Sequence, residues 1–289
     1  MGVVKKLARL ARPVVERFPI VPMVYRFVRD NRRVLDVPKM IPLGFRLIGN
    51  PAMESGRFEI VETEIFNRIL DKVDVVVNIG ANIGYYCCIA LQRGKHVVAF
   101  EPIATNLRYL CKNVKANGWE DQIEVFPLAL SGKHGIIEIY GGGTAASLVK
   151  GWAGIPEQYV ELVPVSSLDA VLGFRFDGRN CFFLVDIEGA EKMMLEGANI
   201  ALSWSPRPIW LVEISIAEHQ PHGIAINQEL ISTFQIFWDR GYEAWTVEKR
   251  PRLVLLEEIE RIVATGKDTL LTHNFLFVEK GRKSHFLGD

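Results

Sequence analysis

The stretch Val75-Val76-Val77-Asn78-Ile79-Gly80-Ala81-Asn82-Ile83-Gly84, followed by Val97-Val98-Ala99-Phe100-Glu101-Pro102, decides the fold. A buried strand enters a glycine turn that opens a helix, and the next strand ends on a carboxylate. In an open α/β sheet that arrangement makes a nucleoside site. The glycines let a ligand approach the backbone, the helix start offers N–H groups, and the acid takes ribose hydroxyls. Glu101 is the acid expected to do so. The turn reads Gly80-x-x-x-Gly84 and not G-x-G-x-x-G, with Asn82 and Tyr85 interrupting the second pattern. A dinucleotide pyrophosphate needs the backbone bare at its second glycine, where the Asn82 side chain obstructs. No tyrosine is followed four residues later by lysine, as in many nicotinamide enzymes. A sulfonium nucleoside is therefore favoured, and a nicotinamide-dependent oxidoreductase is the alternative.

Outward from this centre, apolar and polar positions alternate as helix and strand from residue 60 onward. Helices are expected near 60–72, 83–93, 104–117, 189–198, 227–240 and 255–264. Strands are expected near 75–79, 96–101, 122–129, 160–165, 181–187, 209–214, 242–247 and 274–279, about seven of them main strands. Such alternation with short links predicts a parallel sheet covered on both faces, a doubly wound α/β fold. Ile136–Tyr140 reads as an extra short strand. The long connection 141–159, rich in small residues, is a candidate lid or substrate loop.

Four spaced segments resemble the FkbM family of S-adenosylmethionine-dependent methyltransferases. They are Gly56-Arg57-Phe58-Glu59, Asn78 to Gly84, Phe100-Glu101-Pro102 with Asn106, and Asp186-Ile187-Glu188-Gly189-Ala190-Glu191. The resemblance covers about residues 54–280. It implies a class I (Rossmann-like) methyltransferase fold with seven strands, S-adenosyl-L-methionine as cofactor, and O-methylation of a sugar, glycan or natural-product hydroxyl. Asn78 departs from the family pattern, which carries aspartate there. The amide keeps an acceptor but loses the charge that favours an ammonium group, so a weakened donor-binding or scaffold protein is a further alternative. The cofactor site is expected to comprise Asn78, Gly80, Ala81, Asn82, Gly84, Glu101, Pro102 and Asn106, with Ala129 against the adenine.

The chemical centre is expected where Cys181-Phe182-Phe183-Leu184-Val185 ends on Asp186 and Glu188. Methyl transfer is an in-line displacement in which an alcohol must be aligned and lose its proton. Asp186 is assigned to donor contact, Glu188 to acceptor orientation or proton removal, and Glu213, on the neighbouring strand end, to the same crevice. Glu191 reads as an acid that suits the first turn of a helix. His219 and His222 are secondary candidates for a base, and Trp152 for a substrate contact. Asp186, Glu188 and Glu213 offer oxygen ligands that make Mg²⁺ possible without establishing it, and no metal site is assigned.

Composition sets the remaining bounds. The 289 residues carry 34 basic and 34 acidic side chains, so overall charge gives no case for nucleic acid. Residues 1–39 alone carry a net charge of +7, and the remainder −7. Residues 1–51 are thus expected to be a basic helical leader, able to touch a membrane surface, before a methyltransferase domain at 52–289. Leu7, Leu10, Ala11, Val14 and Val15 share one helical face there, broken by Pro13. Cys87, Cys88, Cys111 and Cys181 all fall in apolar segments without metal-ligand spacing, and are expected to be buried free thiols. Those thiols, and an N-terminus lacking the continuous apolar run of a secretory signal, point to the cytoplasm.

Overall fold

The structure is a computed structural model, and it describes residues 36–282. The leader pattern at Leu7 to Val15 lies outside the described residues. One compact unit takes in the described residues from Met40 onward. Ile41, Phe45 and Leu47 are buried in it, so part of the stretch assigned to the leader contributes to the core.

Eight strands form the main sheet. In chain order the principal elements are α1 (Ile60–Leu70), β1 (Val75–Ile79), α2 (Tyr85–Gln92), β2 (His96–Phe100), α3 (Ala104–Lys115), β3 (Ile123–Phe126), β4 (Ala129–Leu130) and β5 (Gly135–Tyr140). Then come β6 (Val160–Ser166), α4 (Leu168–Leu172), β7 (Cys181–Val185), α5 (Glu191–Leu195), β8 (Ile209–Glu213), α6 (Leu230–Trp238), β9 (Tyr242–Thr246), β10 (Leu253–Val254), α7 (Leu256–Thr265) and β11 (Asn274–Glu279). The sheet order is β10-β9-β11-β8-β7-β1-β2-β3. Strands β3, β2, β1, β7 and β8 are parallel, while β11 runs antiparallel to both β8 and β9.

The fully buried five-residue strand β1 shows why the chain folds this way. Successive side chains point to opposite faces. Val75, Val77 and Ile79 join a core completed by α4, α5, α6 and α7, while Val76 joins one completed by α1, α2 and α3. Both faces are covered, as an apolar run without alternation requires. On the first face Trp210 stacks on Phe183 at 3.9 Å, and Phe237 on Phe277 at 3.8 Å.

The structure corrects the expected layout in four places. The main sheet has eight strands, because the two-residue β10 adds an edge beside β9. It is mixed and not all parallel. The stretch 122–129 is not one strand: Pro127 lacks the N–H that would continue the ladder, and the chain leaves the sheet after Phe126. The resulting β4 pairs with β6, and β6 with β5, in a separate three-stranded sheet. Finally, α5 is shorter than 189–198. Glu188 and Gly189 have φ of 54° and 91°, left-handed values that delay the helix to Glu191.

Cys87, Cys88 and Cys181 are buried as expected, but Cys111 lies on the outer face of α3 and is exposed. No helix among the described residues is long and apolar enough to cross a membrane.

Candidate active site

The glycine turn sits where β1, β2 and β7 end together. Gly80 has φ of 82°, and a Cβ there would fall 1.8 Å from the Asp186 carbonyl oxygen. Only glycine allows the β1 and β7 tips to touch in this way. The turn spends its own amides. Gly80 and Ala81 donate to the Phe100 carbonyl at 3.0 and 2.9 Å, and Gly84 donates to Ala81 at 2.8 Å. Asn82 donates its N–H to Glu101 Oε2 at 2.7 Å. These four amides brace the turn.

Glu101 is the best-defined of them. Its other oxygen, Oε1, accepts from the Ile103 amide at 2.8 Å and from Asn106 Nδ2 at 3.2 Å. It is 3% exposed, and burial pushes its pKa up to about 7 in spite of these three donors. Asn106 also donates to the Gly143 carbonyl at 3.0 Å, tying the long connection to α3.

Two clefts meet at this point. The first, of about 590 Å³, is lined by Gly80, Asn82, Glu101, Pro102, Asn106, Asp186 and Glu188, with an apolar wall from Ile103, Leu128, Ala129, Ile139 and Leu148. The second, of about 540 Å³, lies on the other side of the turn. Asn78, Ala81 and Glu213 line it, and Gly80, Asn82 and Asp186 are shared by both. Of the expected cofactor residues, Gly80, Asn82, Glu101, Pro102, Asn106 and Ala129 line the first cleft, whereas Asn78 and Ala81 line only the second. Gly84 lines neither: it caps α2 with φ of 83° and packs on Leu110.

Asn78 is 2% exposed and donates its amide to Cys87 Sγ at 3.4 Å. That thiol is pushed up to about 12 by burial, so the Asn78 amide faces a neutral neighbour. Asn82 Oδ1 is buried without a hydrogen-bond partner among the described residues. It is an acceptor beside both clefts, suited to a donor group on a ligand.

The carboxyls of the centre repel one another. Asp186 is raised well above the ordinary carboxylate range by burial first, then by Glu188, Glu59, Glu191 and Glu101. Glu213 is raised in the same way, by burial, then Asp186 and Glu188. Glu191, 2% exposed, accepts from the Gly189 amide at 2.8 Å, the structural role read for it. Burial moves it up to about 7. Among the described residues no three acidic, histidine or cysteine side chains are placed to hold a metal ion.

The long connection folds down as a lid. The Ser147 hydroxyl donates to the Glu188 carbonyl at 2.5 Å, and the Trp152 indole N–H donates to Glu188 Oε2 at 2.8 Å. Trp152 is 2% exposed and packed on Gly189, where a Cβ would come within 2.4 Å of the ring. The expectation that Trp152 contacts substrate is therefore corrected: its ring is used up inside the protein. Glu188 lines the first cleft with its carboxylate engaged by the lid. His219 and His222 are exposed and line neither cleft, although the His219 carbonyl accepts the Ala153 amide at 2.7 Å. The Ser147 and Trp152 anchors leave no local pattern in the sequence, because Glu188, which receives them, lies 41 and 36 residues further along the chain.

Among curated protein sequences no match to the chain is found. Similar solved structures include precorrin-6y C5,15-methyltransferase from Geobacter metallireducens, 10% identical over 70% of this chain and 79% of that one, with a TM-score of 0.40. The methyltransferase domain of bacterial CtHen1 is 10% identical over 76% of this chain and 95% of that one, with a TM-score of 0.42. An O-methyltransferase of neocarzinostatin biosynthesis, in complex with S-adenosylmethionine, is 8% identical over 92% of this chain and 59% of that one, with a TM-score of 0.37. A family model described as the methyltransferase FkbM domain matches residues 78–244, more than half of the chain. The protein, with its doubly wound sheet and braced glycine turn, belongs to the FkbM methyltransferase family.

Proposed function

We propose that this methyltransferase uses S-adenosyl-L-methionine to methylate a hydroxyl on a sugar-type or natural-product acceptor. The observation that carries the donor assignment is Glu101, buried at the end of β2 with both oxygens held by N–H groups and facing the first cleft. The residues present fit the donor. Glu101 would take its ribose hydroxyls, the apolar wall around Ala129 its base, and Asn82 Oδ1 with Asp186 its ammonium group. When bound, the donor supplies an electrophilic methyl group on a sulfonium.

The chain's own residues then have separable tasks. Asn106 and Pro102 hold the rim of the first cleft, and the lid excludes water by closing on Glu188. With Glu188 occupied by Trp152, proton removal passes to Glu213, whose cleft adjoins the donor site across Asp186. Burial and the neighbouring acids push Glu213 up to about 10, so it carries a proton at neutral pH; the positive charge of a bound donor would lower that value toward the range in which it removes a hydroxyl proton.

The test is calorimetry with S-adenosylhomocysteine, then transfer of labelled methyl groups to hydroxylated acceptors. Binding of that compound, its weakening by Glu101→Ala, and loss of transfer in Glu213→Gln are expected. Binding of NAD in its place would sink the reading.

The leader is proposed to reach an anionic membrane surface, the observation being the net charge of +7 on residues 1–39. Co-sedimentation with anionic vesicles should fall on removal of residues 1–35, and equal recovery of both forms refutes it.

A further inference from the structure

The second cleft has a chemistry that the donor does not account for. Its lining includes four carboxyls, Glu59, Glu62, Asp186 and Glu213, and no lysine, arginine or histidine. If Asp186 meets the donor ammonium and Glu213 the acceptor hydroxyl, Glu59 and Glu62 are left over at the far end, on and just before α1.

Neither of these two acids meets a cation among the described residues. Glu59 Oε2 accepts from the Tyr86 hydroxyl at 2.7 Å, and Glu62 Oε1 from Asn274 Nδ2 at 3.3 Å. Burial raises Glu59 above the usual carboxylate range, and the charge of Glu62 adds to the effect. Glu59 also has a φ of 42°, a left-handed backbone that a residue other than glycine seldom adopts.

An independent observation points to a ligand at the same place. Tyr85 is 3% exposed and lines the cleft, yet its hydroxyl has no hydrogen-bond partner among the described residues. The Thr63 hydroxyl donates to the Phe58 carbonyl at 3.1 Å and stands near the Tyr85 hydroxyl without meeting hydrogen-bond geometry. A buried hydroxyl left without a partner costs free energy unless something fills its place. Around it are aromatic rings: Phe58 meets Tyr85 edge-on at 5.3 Å, and Tyr85 meets Tyr86 in the same way at 5.3 Å. Carboxylates, a neutral oxygen and aromatic rings together make a site for an ammonium group.

We infer that the acceptor carries an ammonium group beside the hydroxyl that is methylated, bound by Glu59 and Tyr85, and that acceptors bearing a carboxylate or phosphate are rejected. The inference rests on the proposed methyl-transfer reading and specifies its substrate class. Rejection follows from the lining: an anion would meet four acids and no counter-charge.

The experiment uses full-length protein saturated with S-adenosylhomocysteine, whose binding is measured first by calorimetry. Glucosamine, methyl glucoside and glucuronate are then titrated as probes and followed by saturation-transfer NMR. Glucosamine should bind at least about tenfold tighter than glucuronate, and Glu59→Gln should remove most of that preference. Thermal melting checks that the variant folds; if it does not, Tyr85→Phe, which deletes only the hydroxyl, is used and should cost glucosamine about threefold or more. Failure of S-adenosylhomocysteine to bind counts against the methyl-transfer reading itself. With that compound bound, equal or tighter binding of glucuronate, no binding of glucosamine, or an undiminished preference in the variants overturns the inference.

Discussion

Glu101 shows how one side chain does two jobs at once. Its oxygens brace the glycine turn through the Asn82 amide and the start of α3 through the Ile103 amide. The same carboxylate faces the cleft, so Glu101→Ala should weaken S-adenosylhomocysteine by tenfold to a hundredfold, read by calorimetry. Glu191 is the cleaner subject for pH dependence. The unfolded chain loses that proton near 4.5, while the folded protein holds it to about 7. Between those values the folded state binds more protons, so its stability falls as pH rises through the window. Glu191→Gln keeps an acceptor for the Gly189 amide and should gain up to about 3 kcal/mol over the parent at pH 8. At pH 4, below the unfolded value, the two should match; urea denaturation at both pH values decides it. Glu101 and the glycine turn were legible because a strand, a tight turn and a terminal acid leave a local pattern. The Asn82 amide's engagement was not, since it depends on how two strand ends meet.

At the scale of elements, the lid is the part that local sequence could not disclose. Residues 141–159 read as an unusually long connection, and nothing in their composition says where they close. The closure is set by Gly189 beyond β7, which leaves room for the Trp152 ring. Gly189→Ala, with φ of 91° and a Cβ 2.4 Å from that ring, should lift Trp152 from its seat. Limited proteolysis should then cut within 141–159 many times faster than in the parent, with cleavage sites read by mass spectrometry. An unchanged cleavage rate would mean that Ser147 and Asn106 hold the lid unaided. The Pro127 break was available in the sequence as a missing donor, but a single proline does not reveal which sheet receives the chain afterwards. The edge strand β10 is two residues long, too short for any periodicity to show.

Among the described residues the two main apolar layers lie on either side of the eight-stranded sheet, and that much followed directly from uninterrupted apolar runs such as Val75–Val77 and Cys181–Val185. The first layer is dominated by stacked aromatics. Trp210→Ala would leave a cavity against Phe183 and Phe237 and should cost about 3–5 kcal/mol in chemical denaturation. Trp238 and Trp245 each pack against one of these layers while remaining partly accessible.

The placement of the four thiols gives the molecule a built-in reporter. Cys87 and Cys181 are pushed up to about 12 by burial and Cys88 well above its usual value, whereas Cys111 stands on the solvent side of α3. A colourimetric thiol reagent should therefore count one reactive sulfur per native molecule and four after denaturation. Because α3 also carries Asn106, a fluorophore attached at Cys111 would ride on the helix that borders the nucleoside cleft and signal its filling without any engineered cysteine.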